Sequence, residues 1–243
     1  MERNIIEIFS SAQGEGKYVG CRQLFVRFEG CNLKCRYCDT EHQPGTHVHC
    51  MVETRAGSRS FERLENPLSL KMLVEKVQEL LAEVPHQAIS FTGGEPLLHS
   101  DFIHALSKEL EIPFFLETNG TLPAQLKEVM DCVDIISMDI KLPSVTGQEL
   151  WEEHRRFLEI ARTKDLYVKM VLSVETTEQE FQQAIRLLEE SAPEILLVLQ
   201  PVTPFGGCEA ISPERMLEAQ AYALRHLKEV RVIPQTHRMM GQL

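Results

Sequence analysis

From about residue 87 onward the chain alternates short runs of β-branched and apolar residues with amphipathic stretches, and few folds accommodate that rhythm. Repeated βα units pair their strands in parallel and pack right-handed helical crossovers on the sheet. Strands are expected over 23–29, 87–91, 113–117, 133–138, 166–172, 195–200 and 230–233. Ser69 precedes a helix over 70–84, where Leu70, Leu73, Val74, Val77, Leu81 and Val84 recur at helical spacing and suit a face laid on a sheet. Ser100 stands before DFIHALSKEL, Thr177 and Glu180 read as a capping box, and Ser212 followed by Pro213 opens the last helix. The expected architecture is α/β, a partial and open βα barrel of roughly six to seven mostly parallel strands; a doubly wound sheet carries a similar pattern.

A chain of 243 residues suits one domain over 1–243. One excursion, at about 41–66, breaks the rhythm. It is polar and aperiodic, it holds His42, His47, His49, Arg55, Arg59 and Arg63, and its His47, His49 and Cys50 are expected at the surface. With 43% hydrophobic and 25% charged residues, the composition is that of a globular protein and excludes a disordered or collagenous chain. A net charge of -11 argues against non-specific attraction to nucleic acid or anionic lipid. No apolar run approaches the ~20 residues of a membrane span, and the polar amino terminus lacks a signal-peptide core, so no membrane partner and a cytoplasmic location are expected.

Seven cysteines, an odd number, do not suggest a disulfide framework. Cys132 and Cys208 are expected to be small buried hydrophobes. Cys31, Cys35 and Cys38 are different, because GCNLKCRYCDT gathers them in a CxxxCxxC spacing directly after the first expected strand. Three thiolates so close either bind metal or form a reactive patch. A closed zinc site needs four ligands and no second cysteine pair exists, although His42, His47 or Cys50 could complete one and make the chain a zinc-binding interaction module. A 4Fe-4S cubane on three thiolates instead leaves one iron open to a substrate molecule.

Two glycine-bearing segments add to this. Thr92, Gly93, Gly94, Glu95 and Pro96 follow an expected strand, where paired glycines permit a close backbone approach to a ligand. Gln13, Gly14, Glu15 and Gly16 place an amide and a carboxylate between hinges, a combination able to read the donor and acceptor edge of a heterocycle. Arg27 shares strand parity with Phe25, Glu29 and Cys31, so it faces the start of the cysteine loop and could clamp a carboxylate. GCNLKC, TGGEP, TNG, SMDIK, QPVTP and PQTH all follow expected strands. Ligands of parallel α/β folds sit beyond the carboxyl ends of the strands, so these six segments point to one site.

CxxxCxxC with Tyr37 before its last cysteine resembles the radical S-adenosylmethionine superfamily, and TGGEP after it resembles that superfamily's GGEP motif. The QGEG segment resembles the 7-carboxy-7-deazaguanine synthases within it. The resemblance implies a 4Fe-4S cluster on Cys31, Cys35 and Cys38, S-adenosylmethionine as cofactor, and Mg²⁺ on Thr40. It implies cofactor contacts from Tyr37, Cys38, Asp39, Gly93, Gly94, Glu95, Glu117, Asn119, Ser137, Met138, Asp139, Lys141 and Gln200, with Asp139 and Lys141 as alternatives for one contact. It implies substrate contacts from Ala12, Gln13, Gly14, Glu15, Arg27, Thr92, His237 and Leu243. The implied reaction is a radical ring contraction of 6-carboxy-5,6,7,8-tetrahydropterin to 7-carboxy-7-deazaguanine with loss of ammonia, on the way to queuosine and other deazapurines. A homodimer and a flavodoxin-like electron donor are implied with it. An activating enzyme that makes a glycyl radical on a protein partner would use the same cluster and stands as the alternative.

Overall fold

The structure, a computed structural model, describes residues 1–38, 40, 43 and 45–242. Asp39, His42 and Leu243, which the sequence reading marks, lie outside the described residues. The first part of the chain forms β1 (Glu2–Arg3), β2 (Ile5–Ala12), β3 (Arg22–Phe28), β4 (His49–Glu53), β5 (Phe61–Glu65) and β6 (Leu68–Ser69). There follow α1 (Leu70–Glu83), β7 (Ala88–Gly93), α2 (Ser100–Leu106), β8 (Phe114–Thr118), α3 (Pro123–Val129) and β9 (Ile135–Asp139). The last part comprises α4 (Pro143–Thr146), α5 (Trp151–Ala161), β10 (Asp165–Leu172), α6 (Glu178–Ser191), β11 (Leu196–Pro201), α7 (Pro213–Ala223), β12 (Glu229–Val232) and α8 (Thr236–Met239).

Ten strands make one sheet in the order β12-β11-β10-β9-β8-β7-β3-β2-β4-β5. The seven from β3 to β12 are parallel neighbours, and they are the seven strands expected from sequence. Their spatial order follows the chain without reversal, so each right-handed crossover returns on the same side and the sheet curls as a barrel instead of winding both ways. β5 and β12 are edges that do not pair with each other, which leaves the barrel open.

Leu73, Val74, Val77 and Leu80 of α1 are buried, and Ser69 caps the helix by accepting from the Met72 amide. Thr177 and Glu180 form the expected capping box, and the Ser212 hydroxyl accepts from the Arg215 amide. Ser100 departs from expectation. It is the first residue of α2 and has no capping role, because a 3-10 turn over Pro96–His99 precedes it and its hydroxyl donates to Glu128 at 2.6 Å.

The polar amino-terminal segment before the first expected strand contains β2, which pairs antiparallel with β3. The excursion at about 41–66 also contributes two strands: β4 runs parallel to β2, and β5 closes the edge antiparallel to β4. Two buried carboxylates fix it. Glu53 accepts from the amides of Ser10, Gly57 and Arg59 at 2.7–2.9 Å, and Glu29 accepts from the amides of Gly45 and His47 at 2.9–3.0 Å. Burial alone would raise the Glu29 carboxyl; these amides, with the Asn4 side chain and the His47 ring, outweigh it and hold the group at about 2. Of the three residues expected at the surface only His49 is there, since Cys50 packs in the core and half-buried His47 bonds Glu29.

Candidate active site

β3 delivers the cysteine loop, turning at Gly30 with φ of 94° into Cys31. Cys31, Cys35 and Cys38 are free, half-buried thiols on the wall of one cavity of about 610 Å³. Burial pushes the Cys31 thiol up to about 11 and raises Cys35, so a cation in their midst would be what favours the thiolates. The Leu33 amide points at Cys31 Sγ from 3.4 Å, a donor suited to a ligating sulfur.

The paired glycines after β7 are required by backbone-to-backbone packing. A Cβ on Gly93 would lie 2.2 Å from the Phe28 carbonyl oxygen, and one on Gly94 would lie 1.9 Å from that of Gly30. The turn is bonded there by the Gly94 amide to Phe28 and the Glu95 amide to Gly30, at 3.1 and 2.8 Å. The Glu95 side chain does not line the cavity. It is fully buried, where it accepts from the Asn119 and Leu97 amides and the Thr118 hydroxyl, and burial pushes its carboxyl up to about 7. Met138 is likewise no cavity residue, because its side chain is on the buried face of β9 against Gly120.

Every other described residue expected to contact the cluster, cofactor, Mg²⁺ or substrate lines this one cavity. Tyr37, Thr40, Asn119, Ser137, Asp139, Lys141 and Gln200 lie with the thiols and glycines, and Ala12, Gln13, Gly14, Glu15, Arg27, Thr92 and His237 are also on its wall. Gln200 Oε1 is buried without a hydrogen-bond partner among the described residues, an acceptor suited to a ligand donor.

Gln13 is held from three sides. Its Nε2 donates to Glu117 at 2.7 Å and to Gln23 at 3.1 Å, and its Oε1 accepts from the Glu15 amide at 3.0 Å. The Thr92 hydroxyl also donates to Glu117, at 2.7 Å, so this carboxylate sits with the QGEG residues. Arg27 is anchored through Nε to Glu7 at 2.6 Å and lies over the Phe9 ring.

Across the cavity runs a chain of charges that the sequence reading did not find. Gln235 donates to Glu15 at 2.6 Å, Glu15 pairs with Lys169, Lys169 stands 3.4 Å from Asp139, and Lys141 donates to Asp139 at 2.7 Å and contacts the Tyr37 hydroxyl at 3.2 Å. Asp139 and Lys141, set as alternatives, are both on the wall and bonded to each other. Burial would raise Glu15, but the Lys169 ammonium and the Gln235 amide hold it at about 2; burial would lower Lys169, but Asp139 and Glu15 raise it. A lysine inside the apolar strand DLYVKMVL was the available signal, because a buried charge is rare unless paired or functional.

His154, fully buried on α5, ties two of the strand-end loops together. Its Nδ1 hydrogen donates to the Gly120 carbonyl at 3.1 Å, and Nε2 accepts from the Lys141 amide at 3.2 Å. Burial pushes this imidazole down to about 4, which keeps it neutral and fixes the tautomer.

A curled parallel sheet with a cysteine trio beyond its first parallel strand defines a radical S-adenosylmethionine enzyme: residues 25–188 match the model of the Radical SAM superfamily, to which the chain belongs. Within it the chain belongs to the 7-carboxy-7-deazaguanine synthase family. It is 46% identical to the 7-carboxy-7-deazaguanine synthase of Geobacter sulfurreducens, over 98% of this chain and 96% of that one. The synthase of Archaeoglobus fulgidus is 36% identical over 99% of each. QueE from Escherichia coli superposes with a TM-score of 0.62 over 98% of this chain and 95% of that one; at 21% identity the likeness is one of fold. A 4Fe-4S cluster and S-adenosylmethionine are the cofactors of this superfamily, and the thiol trio, the glycine turn and the orphaned Gln200 oxygen fit them.

Proposed function

We propose that the chain converts 6-carboxy-5,6,7,8-tetrahydropterin to 7-carboxy-7-deazaguanine with loss of ammonia. One observation carries the reading: a single cavity joins the three thiols to the Gln13–Glu117–Thr92 cluster, so a cofactor and a flat polar heterocycle would lie side by side. The full-length relatives are named for a small-molecule reaction, which disfavours the activating-enzyme alternative.

Cys31, Cys35 and Cys38 would hold the cluster, which with S-adenosylmethionine would supply the radical hydrogen-abstraction chemistry. The chain's own residues position and shield. Gly93 and Gly94 bring backbone close to the cofactor, and Tyr37, Asn119, Ser137, Asp139, Lys141 and Gln200 flank it. Glu117, held by the Gln13 amide and the Thr92 hydroxyl, offers pre-oriented carboxylate acceptors to the pterin edge. Arg27, hydrogen-bonded among the described residues through Nε, would present its terminal nitrogens to the substrate carboxylate. Thr40 offers a hydroxyl to Mg²⁺, whose remaining ligands would be water and substrate oxygens. Ala12, Gly14 and His237 close the substrate end. We also read one domain over 1–243, a homodimer, a flavodoxin-like electron donor and a cytoplasmic setting that suits an oxygen-sensitive cluster, all on family resemblance.

The test is anaerobic turnover. Protein reconstituted with iron and sulfide, given S-adenosylmethionine, Mg²⁺, reductant and the carboxylated pterin, is expected to yield 7-carboxy-7-deazaguanine by mass spectrometry. A brown, iron-loaded protein that cleaves S-adenosylmethionine yet forms no deazapurine would overturn the substrate assignment.

A further inference from the structure

We propose that His104, Asp131 and Cys132 form a second metal site, for one zinc-class divalent ion, at the pole of the barrel away from the active site. His104 lies in the last turn of α2, and Asp131 and Cys132 lie in the turn from α3 to β9, at the amino ends of the parallel strands. The active-site cavity opens at the carboxyl ends, so no residue of one belongs to the other.

The three candidate ligand atoms, a histidine nitrogen, a carboxylate oxygen and a thiol sulfur, all lie within 4.8 Å of one another, which no other such trio among the described residues does. His104 Nδ1 is buried and makes no hydrogen bond, although Asp131 Oδ1 is 3.3 Å away. A buried ring nitrogen that makes no hydrogen bond among the described residues is open to a metal ligand bond. The 3.3 Å separation is also informative, because zinc bonds of about 2.0–2.2 Å meeting at a tetrahedral angle place nitrogen and oxygen about 3.3–3.5 Å apart. The trio lines a cleft of about 290 Å³ whose inner wall is apolar, with Leu110, Ile112 and Phe114.

Chemistry narrows the ion. One thiolate, one carboxylate and one neutral imidazole balance a charge of two, and this mixed set suits zinc in preference to Mg²⁺ or Ca²⁺, which take oxygen ligands. Binding forms Zn–S, Zn–O and Zn–N bonds, releases the thiol proton to solvent and involves no electron transfer. Water would complete the tetrahedron on the exposed side of Asp131. The ion would clamp the end of α2 to the α3–β9 turn, which makes its role structural.

The experiment uses the cluster-loaded holoenzyme, so that Cys31, Cys35 and Cys38 are occupied, titrated anaerobically with ZnCl₂. Expected are about one zinc per chain beyond the iron, a zinc absorption-edge spectrum with one sulfur among nitrogen and oxygen neighbours, and a melting temperature raised on the order of 5 °C at saturating metal. His104→Ala, Asp131→Asn and Cys132→Ser should each weaken zinc binding about a hundredfold or more and abolish the thermal shift, while iron content and turnover stay at wild-type level. Cys132→Ser keeps the side-chain volume, so its folding is checked by that iron content. Zinc bound equally by all three variants, an edge spectrum without sulfur, or no zinc retained by the wild type overturns the site.

Discussion

Gly14 is a glycine because of its neighbour: a Cβ there would lie 2.1 Å from His237 Nδ1, inside any allowed contact. The tail is bonded at this point, with the Thr236 amide and hydroxyl donating to the Gly14 carbonyl at 2.9 and 3.0 Å. Gly14→Ala should therefore displace His237, raising KM for the pterin about tenfold or more while 5'-deoxyadenosine formation without pterin is retained; an unchanged KM would remove His237 from the substrate site. Lys169 makes a second residue-level case, since it is mostly buried between Glu15 and Asp139. Lys169→Met leaves Glu15 without its ammonium partner, while Asp139 keeps Lys141, and is expected to cost about 3–5 kcal/mol in urea unfolding. Adding Glu15→Gln should recover part of that loss, and strictly additive losses would show the pair to be uncoupled. The cysteines, glycines, Gln13 and Arg27 were legible in the sequence because their chemistry is written in residue type and spacing. Lys169 and Gln235 were not, because their meaning comes from partners more than a hundred residues away in sequence.

At the scale of elements, α5 contributes a clamp. His154 bridges the loop after β8 and the loop after β9 from beneath, and it does so only as a neutral ring. Its pKa of about 4 in the fold lies below the ordinary histidine value of about 6.5, so the unfolded chain binds the proton first as pH falls. The contribution is complete above pH 6.5 and is lost between there and about 4, costing about 2–3 kcal/mol by pH 4.5. The loss of unfolding free energy between pH 7 and 4.5 should be larger in wild type than in His154→Gln by that amount; parallel losses in both proteins would assign the pH dependence elsewhere. The parallel strands and the Thr177 cap were readable because apolar runs and caps are local signals. β2, β4 and β5 escaped notice because their sequences, such as HCMVE and FERLE, mix polar and apolar residues. Their place at the sheet edge is decided by pairing, and by Glu29 and Glu53 collecting amides from several segments.

At the scale of the whole molecule, the two ends of the chain build the same wall of the cavity. The segment after β12 brings Gln235, His237 and Gln242 beside the QGEG loop, where Arg59 also holds the tail by donating to the Gly241 carbonyl at 2.5 Å. A chain shortened after Gln235 should keep its cluster and its S-adenosylmethionine cleavage but lose pterin turnover by at least about a hundredfold, because the substrate end would open to water. Full turnover by the shortened chain would assign that wall to other residues. Local sequence indicated which atoms could bind a cluster, that the strands run parallel, and that a cavity lies past their carboxyl ends. Thiol spacing and hydrophobic period are properties of short segments. Folding alone decided that Glu95 and Met138 turn into the core, that the polar excursion joins the sheet, and that Glu15, Lys169 and Asp139 form one charged chain. Each of those outcomes depends on which distant segments share a buried space, and burial sets both the partners and the charge state that a side chain can keep.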